Sequence, residues 1–143
     1  MKQQETYVIS VKMGVGLYRH IQISSKQTFQ MLHLAILEAF DFNNDHAHAF
    51  FLDQPWANDH TAIYVDFMDD AQLFSSKVKL KDKLELGQKF IYIFDFGDEW
   101  TFHCKVNKIV EAPLNQFKVI KSVGKAPSQY GGEEEWDGDE DDD

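Results

Sequence analysis

The chain is short of cysteine, of proline and of long apolar runs, and each shortage excludes something. Cys104 is the one cysteine, so no intramolecular disulfide is available and the expected compartment is the reducing cytoplasm. No apolar run approaches the roughly 18–20 residues that cross a bilayer as a helix. Met1 to Thr6 lacks the apolar core of a signal peptide. The three prolines, Pro55, Pro113 and Pro127, mark loops and breaks between elements. A basic excess is missing too. Residues 133–143 hold nine acids and no base, whereas residues 1–132 hold 15 acids against 14 bases. The body is therefore close to neutral and the final segment carries the charge. Neither reads as the basic stripe of a direct DNA or RNA binder, and no membrane partner is expected.

What the chain does have is aromatic bulk. Its 12 phenylalanines and 43% apolar content can fill a core, and 143 residues fit one domain. That domain is expected over residues 1–132, with 133–143 as a disordered acidic tail. The organising stretch is Phe90 to Val106, two strands folded back on each other around Asp95 to Glu99. The first arm, Lys89 to Asp95, is apolar on both faces, as a strand covered on two sides should be. In the second arm, Trp100, Phe102, Cys104 and Val106 share one face, and Thr101, His103, Lys105 and Asn107 share the other.

Upstream, Thr6–Met13 and Leu17–Ile23 predict a hairpin across Gly14-Val15-Gly16. Thr28 caps a helix over Phe29–Phe40, whose residues Phe29, Leu32, Ile36 and Phe40 recur at helical spacing. Asp41 to Asp45 ends it, with Asn as the left-handed residue. Strands are expected at His46–Leu52, Thr61–Phe67 and Phe117–Val123. A helical turn is expected at Gln72–Phe74, and a short strand or 3₁₀ segment within Lys77–Leu86. The fold class is α+β, a mostly antiparallel sheet with one main buried helix, and the ββα start resembles a β-grasp opening.

Tyr92-Ile93-Phe94-Asp95-Phe96-Gly97-Asp98-Glu99-Trp100 resembles the Tyr-x-Tyr-Asp-Phe-Gly-Asp-x-Trp signature of the Ri-plasmid ORF-three-like family. Three further stretches resemble family motifs in the expected order: Tyr18 to Ile23, Leu32 to Phe40 followed by Asp45-His46-Ala47-His48-Ala49-Phe50, and Ala126 to Gly132. The resemblance covers residues 6–136 and implies an α+β fold with a link to plasmid maintenance. It implies no defined activity. In the family a His often stands two residues after the signature Trp. Here Phe102 holds that place and His103 follows it.

The candidate site residues are His46, His48, Asp95, Asp98 and Trp100. Asp95 and Asp98 bracket the hairpin turn, where carboxylates serve acid–base or metal chemistry, or accept turn amides and the Trp100 indole N–H. Asp95 follows Ile91 and Ile93 on one strand face, so partial burial is expected. His46 and His48, two apart in a strand, would project to one side and could ligate a metal. His103 and Cys104 are adjacent in a strand and cannot form a nucleophile–base pair. Asp41-x-Asn43-x-Asp45 fails as a calcium loop, because His46 stands where glycine is needed. The acidic tail is a solubilising end or a ligand for a basic partner, and Trp136 within it is an unusual spacer residue. The leading expectation is a non-enzymatic interaction or regulatory module with an unidentified protein partner and no cofactor. The alternative is a metal-dependent hydrolase or nuclease-like enzyme holding a divalent ion on His46, His48, Asp95 and Asp98.

Overall fold

In the computed structural model, residues 5–52, 54–56, 61–66, 73–112, 114 and 116–129 are described. The acidic segment 133–143 lies outside them. Strands β1 (Glu5–Gly14) and β2 (Leu17–Ser24) form the expected antiparallel hairpin, with Ile9 opposite Ile21. Helix α1 (Phe29–Phe40) starts at Thr28, whose hydroxyl accepts the Met31 N–H at 3.3 Å. Asp41, not an Asn, ends it in the left-handed conformation with φ 61°, and its N–H reaches the Glu38 carbonyl at 3.2 Å. Then come β3 (His48–Phe51), β4 (Ile63–Tyr64), β5 (Leu73–Phe74), a 3₁₀ turn (Leu80–Asp82), β6 (Lys89–Phe94), β7 (Trp100–Glu111) and β8 (Phe117–Val123).

The strands make one sheet in the order β5-β4-β3-β6-β7-β1-β2-β8. β4 and β5 run parallel, so the sheet is mixed; the other pairs are antiparallel. The helical turn expected at Gln72–Phe74 is a strand over Leu73–Phe74 instead. The Ser75 N–H donates to the Tyr64 carbonyl at 2.9 Å, and that ladder outweighs the local helical preference.

One face of the sheet packs on α1. Ile9 and Val11 of β1, Ile21 and Ile23 of β2, Tyr92 and Phe94 of β6, and Phe102 of β7 enclose Leu32, Ile36 and Phe40. Arg19, buried on the same face, fastens α1 to the sheet edge. Its Nε donates to the Ala39 carbonyl and its Nη1 to the Val123 carbonyl, both at 2.9 Å, and its guanidinium lies 4.7 Å from the Phe40 ring centre. Gly124, at φ 85°, follows β8 where a Cβ would come within 2.2 Å of the Gly16 carbonyl oxygen. Only glycine allows that approach, which brings the end of β8 against the hairpin turn.

The other face is apolar at one end. Ile93, Phe51 and Tyr64 form a small cluster there with Phe96, so β6 is covered on both sides as expected. Along the rest of this face, lysines from four strands align. That corrects the expectation that the body offers no basic stripe: the bases are few, but pairing register gathers them.

Candidate functional site

The site lies where β3, the β6–β7 turn and the C-terminal end of α1 meet. β3 pairs with β6 in the register His48 opposite Phe94, and one step further the Asp95 N–H donates to the Ala47 carbonyl at 2.7 Å. There β6 stops, because Asp95 turns to φ 70°. Its Oδ1 accepts the Gly97 N–H at 3.1 Å and the Asp98 N–H at 3.4 Å, and its carbonyl accepts the Glu99 N–H at 2.5 Å. Asp95 therefore organises the turn through its oxygens, and its side chain is only 14% exposed, the partial burial expected of it.

Asp98 is exposed and contributes its backbone amide. Trp100 does not give its indole N–H to a turn carboxylate, as was expected; that nitrogen is buried with no partner among the described residues. Strand parity is the reason. Trp100 shares the helix-side face with Phe102 and packs edge-on against Phe42 at 5.1 Å, away from the carboxylates.

The two histidines expected on one strand face separate. β3 begins at His48, so His46 lies in the preceding loop and stays at the surface. Its Nδ1 is 2.7 Å from Asp45 Oδ1 and its Nε2 is 3.6 Å from Asp95 Oδ2, so it bridges the loop and the turn. Asp45 Oδ1 also accepts the Gln129 amide at 3.1 Å, and Gln129 pairs with both the N–H and the carbonyl of Asn43. The closing loop is thus tied to the same corner.

His48 instead enters the core, 2% exposed, with Nε2 at 2.9 Å from Ser75 Oγ. Its ring stacks on that of His33 at 3.7 Å. His33 comes from α1 and contacts the Tyr92 hydroxyl through Nδ1 at 2.5 Å and Asn44 Oδ1 through Nε2 at 3.0 Å. With Asn44 Oδ1 as acceptor, Nε2 carries the proton and Nδ1 accepts from the tyrosine. Burial pushes His33 down to about 4, and burial followed by the neighbouring His33 pushes His48 down to about 2. Both rings are neutral at pH 7. His48 Nδ1 has no partner among the described residues. A cavity of about 400 Å³ lies beside the pair, lined by Gln30, His33, Asn44, His46, His48 and Val65 among others.

Among the described residues no group of three or more His, Cys, Asp or Glu side chains is placed to share a metal ion. His46 and Asp95 meet; His48 is held by His33 and Ser75, and Asp98 stands apart in the turn. Cys104 is buried on the helix side, and burial raises its thiol far above the usual range, so it stays protonated. The arrangement offers two chemistries. A neutral histidine pair can exchange hydrogen bonds, and the Asp45 and Asp95 carboxylates, bridged by His46, can meet a basic group.

His33, Tyr92, Asn44, Ser75 and Gln129 are the residues that sequence reasoning missed. His33 carried a signal. It stands four residues after Phe29 and three before Ile36, inside the apolar stripe, where a polar ring must find a buried partner.

These features define a class of α+β protein in which one buried helix, a histidine loop, an Asp-Phe-Gly-Asp turn and a closing loop converge on one corner of a sheet. The chain belongs to the plasmid pRiA4b ORF-3-like protein family, whose profile matches residues 9–137. It is similar to the crystal structure of a protein of unknown function from Methanosarcina mazei Go1. That likeness has 26% identity and a TM-score of 0.71 over 85% of this chain and 71% of the other. No curated protein matches the sequence. Among the described residues no helix is long and apolar enough to cross a membrane.

Proposed function

We propose that the chain is a cytoplasmic, non-enzymatic protein-interaction module serving plasmid or mobile-element maintenance; the family's name supplies the plasmid alone. Its contact surface is the corner built from the Asp95–Trp100 turn, the His46 loop and Trp56. One observation carries the reading. Trp56, Asp95 and Glu99 are three of the four non-glycine residues with positive φ among those described, at 63°, 70° and 52°. Such conformations cost free energy and persist where a surface must keep a set shape.

Trp56 is 43% exposed, yet its ring packs edge-on against Phe51 at 4.7 Å and Phe96 at 5.0 Å. An indole held this way loses little freedom on binding, and tryptophan is among the residues that dominate interface energies. Asp98 and Glu99, exposed in the turn that contains Phe96, favour a partner with Lys or Arg beside an apolar recess. The test is affinity capture with the full chain, with Trp56→Ser and with Glu99→Lys. The expected result is a partner retained by the full chain and weakened at least about tenfold by Trp56→Ser. A full chain that retains nothing above background, or variants that retain the same partner equally, would overturn the reading.

A further inference from the structure

The sheet face turned away from α1 has a chemistry that the corner does not use. Pairing register aligns Lys89 with Lys105, Lys105 with Ser10, Ser10 with His20, and His20 with Lys121. The row on one side contains His103 and Lys12, and the row on the other contains Lys108 and Lys118. Six exposed lysines and two histidines thus share one face, and these rows contain no acid. Among the described residues none of the six lysines has an ion-pair partner.

Lysines directly opposite each other across a ladder repel. The field is felt locally, since His20 is pushed below its ordinary range by burial first and then by Lys121 and Lys108. Within the face lies a depression of about 460 Å³, with Ile91 and Phe90 supplying apolar surface and Lys12, Lys89 and Lys105 around it. Such an array calls for a polyanion, and preferably one with an aromatic group.

The sequence contains that ligand. Residues 133–143 carry nine acids, no base and one large ring, Trp136. We propose that the basic sheet face is the docking site of this chain's own acidic segment, with Trp136 seated in the depression over Ile91. Trp136 stands seven residues after Gln129 and can lie up to about 25 Å from it, and the last residue up to about 45 Å. The five strands from β6 to β8, four of which bear the lysines, span only about 20 Å at their usual spacing. Tethering holds the segment at an effective concentration in the millimolar range. A free nucleic acid is the poorer occupant. It would have to displace a tethered polyanion from a chain whose net charge is −10. Exposed ion pairs are individually weak, so the contact depends on their number and is sensitive to salt.

The test is zero-length carbodiimide cross-linking of the full chain, which joins lysine amines to carboxylates in contact, with the products mapped by mass spectrometry. The expected products are intrachain links from 133–143 to Lys12, Lys89, Lys105, Lys108, Lys118 and Lys121. They should exceed links to Lys77, Lys79, Lys81 and Lys83 by about fivefold or more, and be lost in about 1 M salt. A triple variant, Lys12→Gln, Lys105→Gln and Lys121→Gln, should weaken the links at the remaining Lys89, Lys108 and Lys118 as well. A full chain whose tail acids are replaced by Asn and Gln leaves the body untouched and serves as the blank for tail links. Links spread evenly over all lysines, links that vanish on dilution as those between copies do, or no tail links would overturn the proposal. A duplex oligonucleotide bound equally by the full chain and the neutral-tail variant would overturn it as well.

Discussion

On β7, Phe102, Cys104 and Val106 are closed off under α1, while His103 and Lys105 between them stand exposed on the other face. The same alternation runs through β1, where Ile9 and Val11 are buried and Lys12 is exposed. The inner face is therefore aromatic and closed, with Arg19 held at its edge and its histidines kept neutral. The outer face is charged and gathers lysine. One strand sequence thus writes two surfaces with separate tasks, and the near-zero net charge of residues 1–132 conceals the second.

The comparison breaks most visibly by substitution at neighbouring positions. Phe102→Ala empties a site that contacts Phe40, Phe42 and Tyr92, and should cost about 3–5 kcal/mol in urea unfolding. His103→Ala, one residue on, should stay within about 0.5 kcal/mol. Equal costs would mean that the two faces are not distinct.

Acid should expose the inner face next. The folded protein keeps His33 neutral down to about 4, against 6.5 for the free group, so the unfolded chain binds the extra proton first. Stability is then fully present above pH 6.5 and falls as the pH drops toward 4, by roughly 3 kcal/mol across that window. His48, shifted further in the same direction, adds a similar loss across the same window and extends it to lower pH. Unfolding free energies measured across this range check the slope, which His33→Asn should reduce.

A smaller effect is expected from Tyr92→Phe. It leaves His33 Nδ1 buried without its donor, at a cost of about 1–3 kcal/mol. In the turn, Asp95→Ala removes the acceptor of two amides and places alanine at positive φ, for about 1–2 kcal/mol. Asp95→Asn keeps an acceptor oxygen and should cost less than the alanine change. Thermal unfolding of the two variants checks the order.

Much of this architecture was legible in the chain. The capping Thr28, the helical spacing of Leu32, Ile36 and Phe40, and the parity of Trp100 to Val106 all express local rules, and each element formed as read. Asp95 too was legible as a turn acceptor, since its oxygens have amides two and three residues away. What could not be read depends on partners distant in sequence. His48 is buried because His33 and Ser75 come to it from α1 and from beyond β5, and no local pattern places them there. Leu73–Phe74 is a strand only because β4 lies beside it. The lysine face is the plainest case. Lys12, Lys89, Lys105 and Lys121 look scattered until register sets them in adjacent rows.

The most direct test of an inner face that keeps its histidines neutral is proton NMR of their rings. The Cε1–H signals of His33 and His48 are expected to stay nearly unshifted between about pH 7.5 and about pH 5. A titration of either ring with a midpoint near 6.5, the ordinary value, would contradict it.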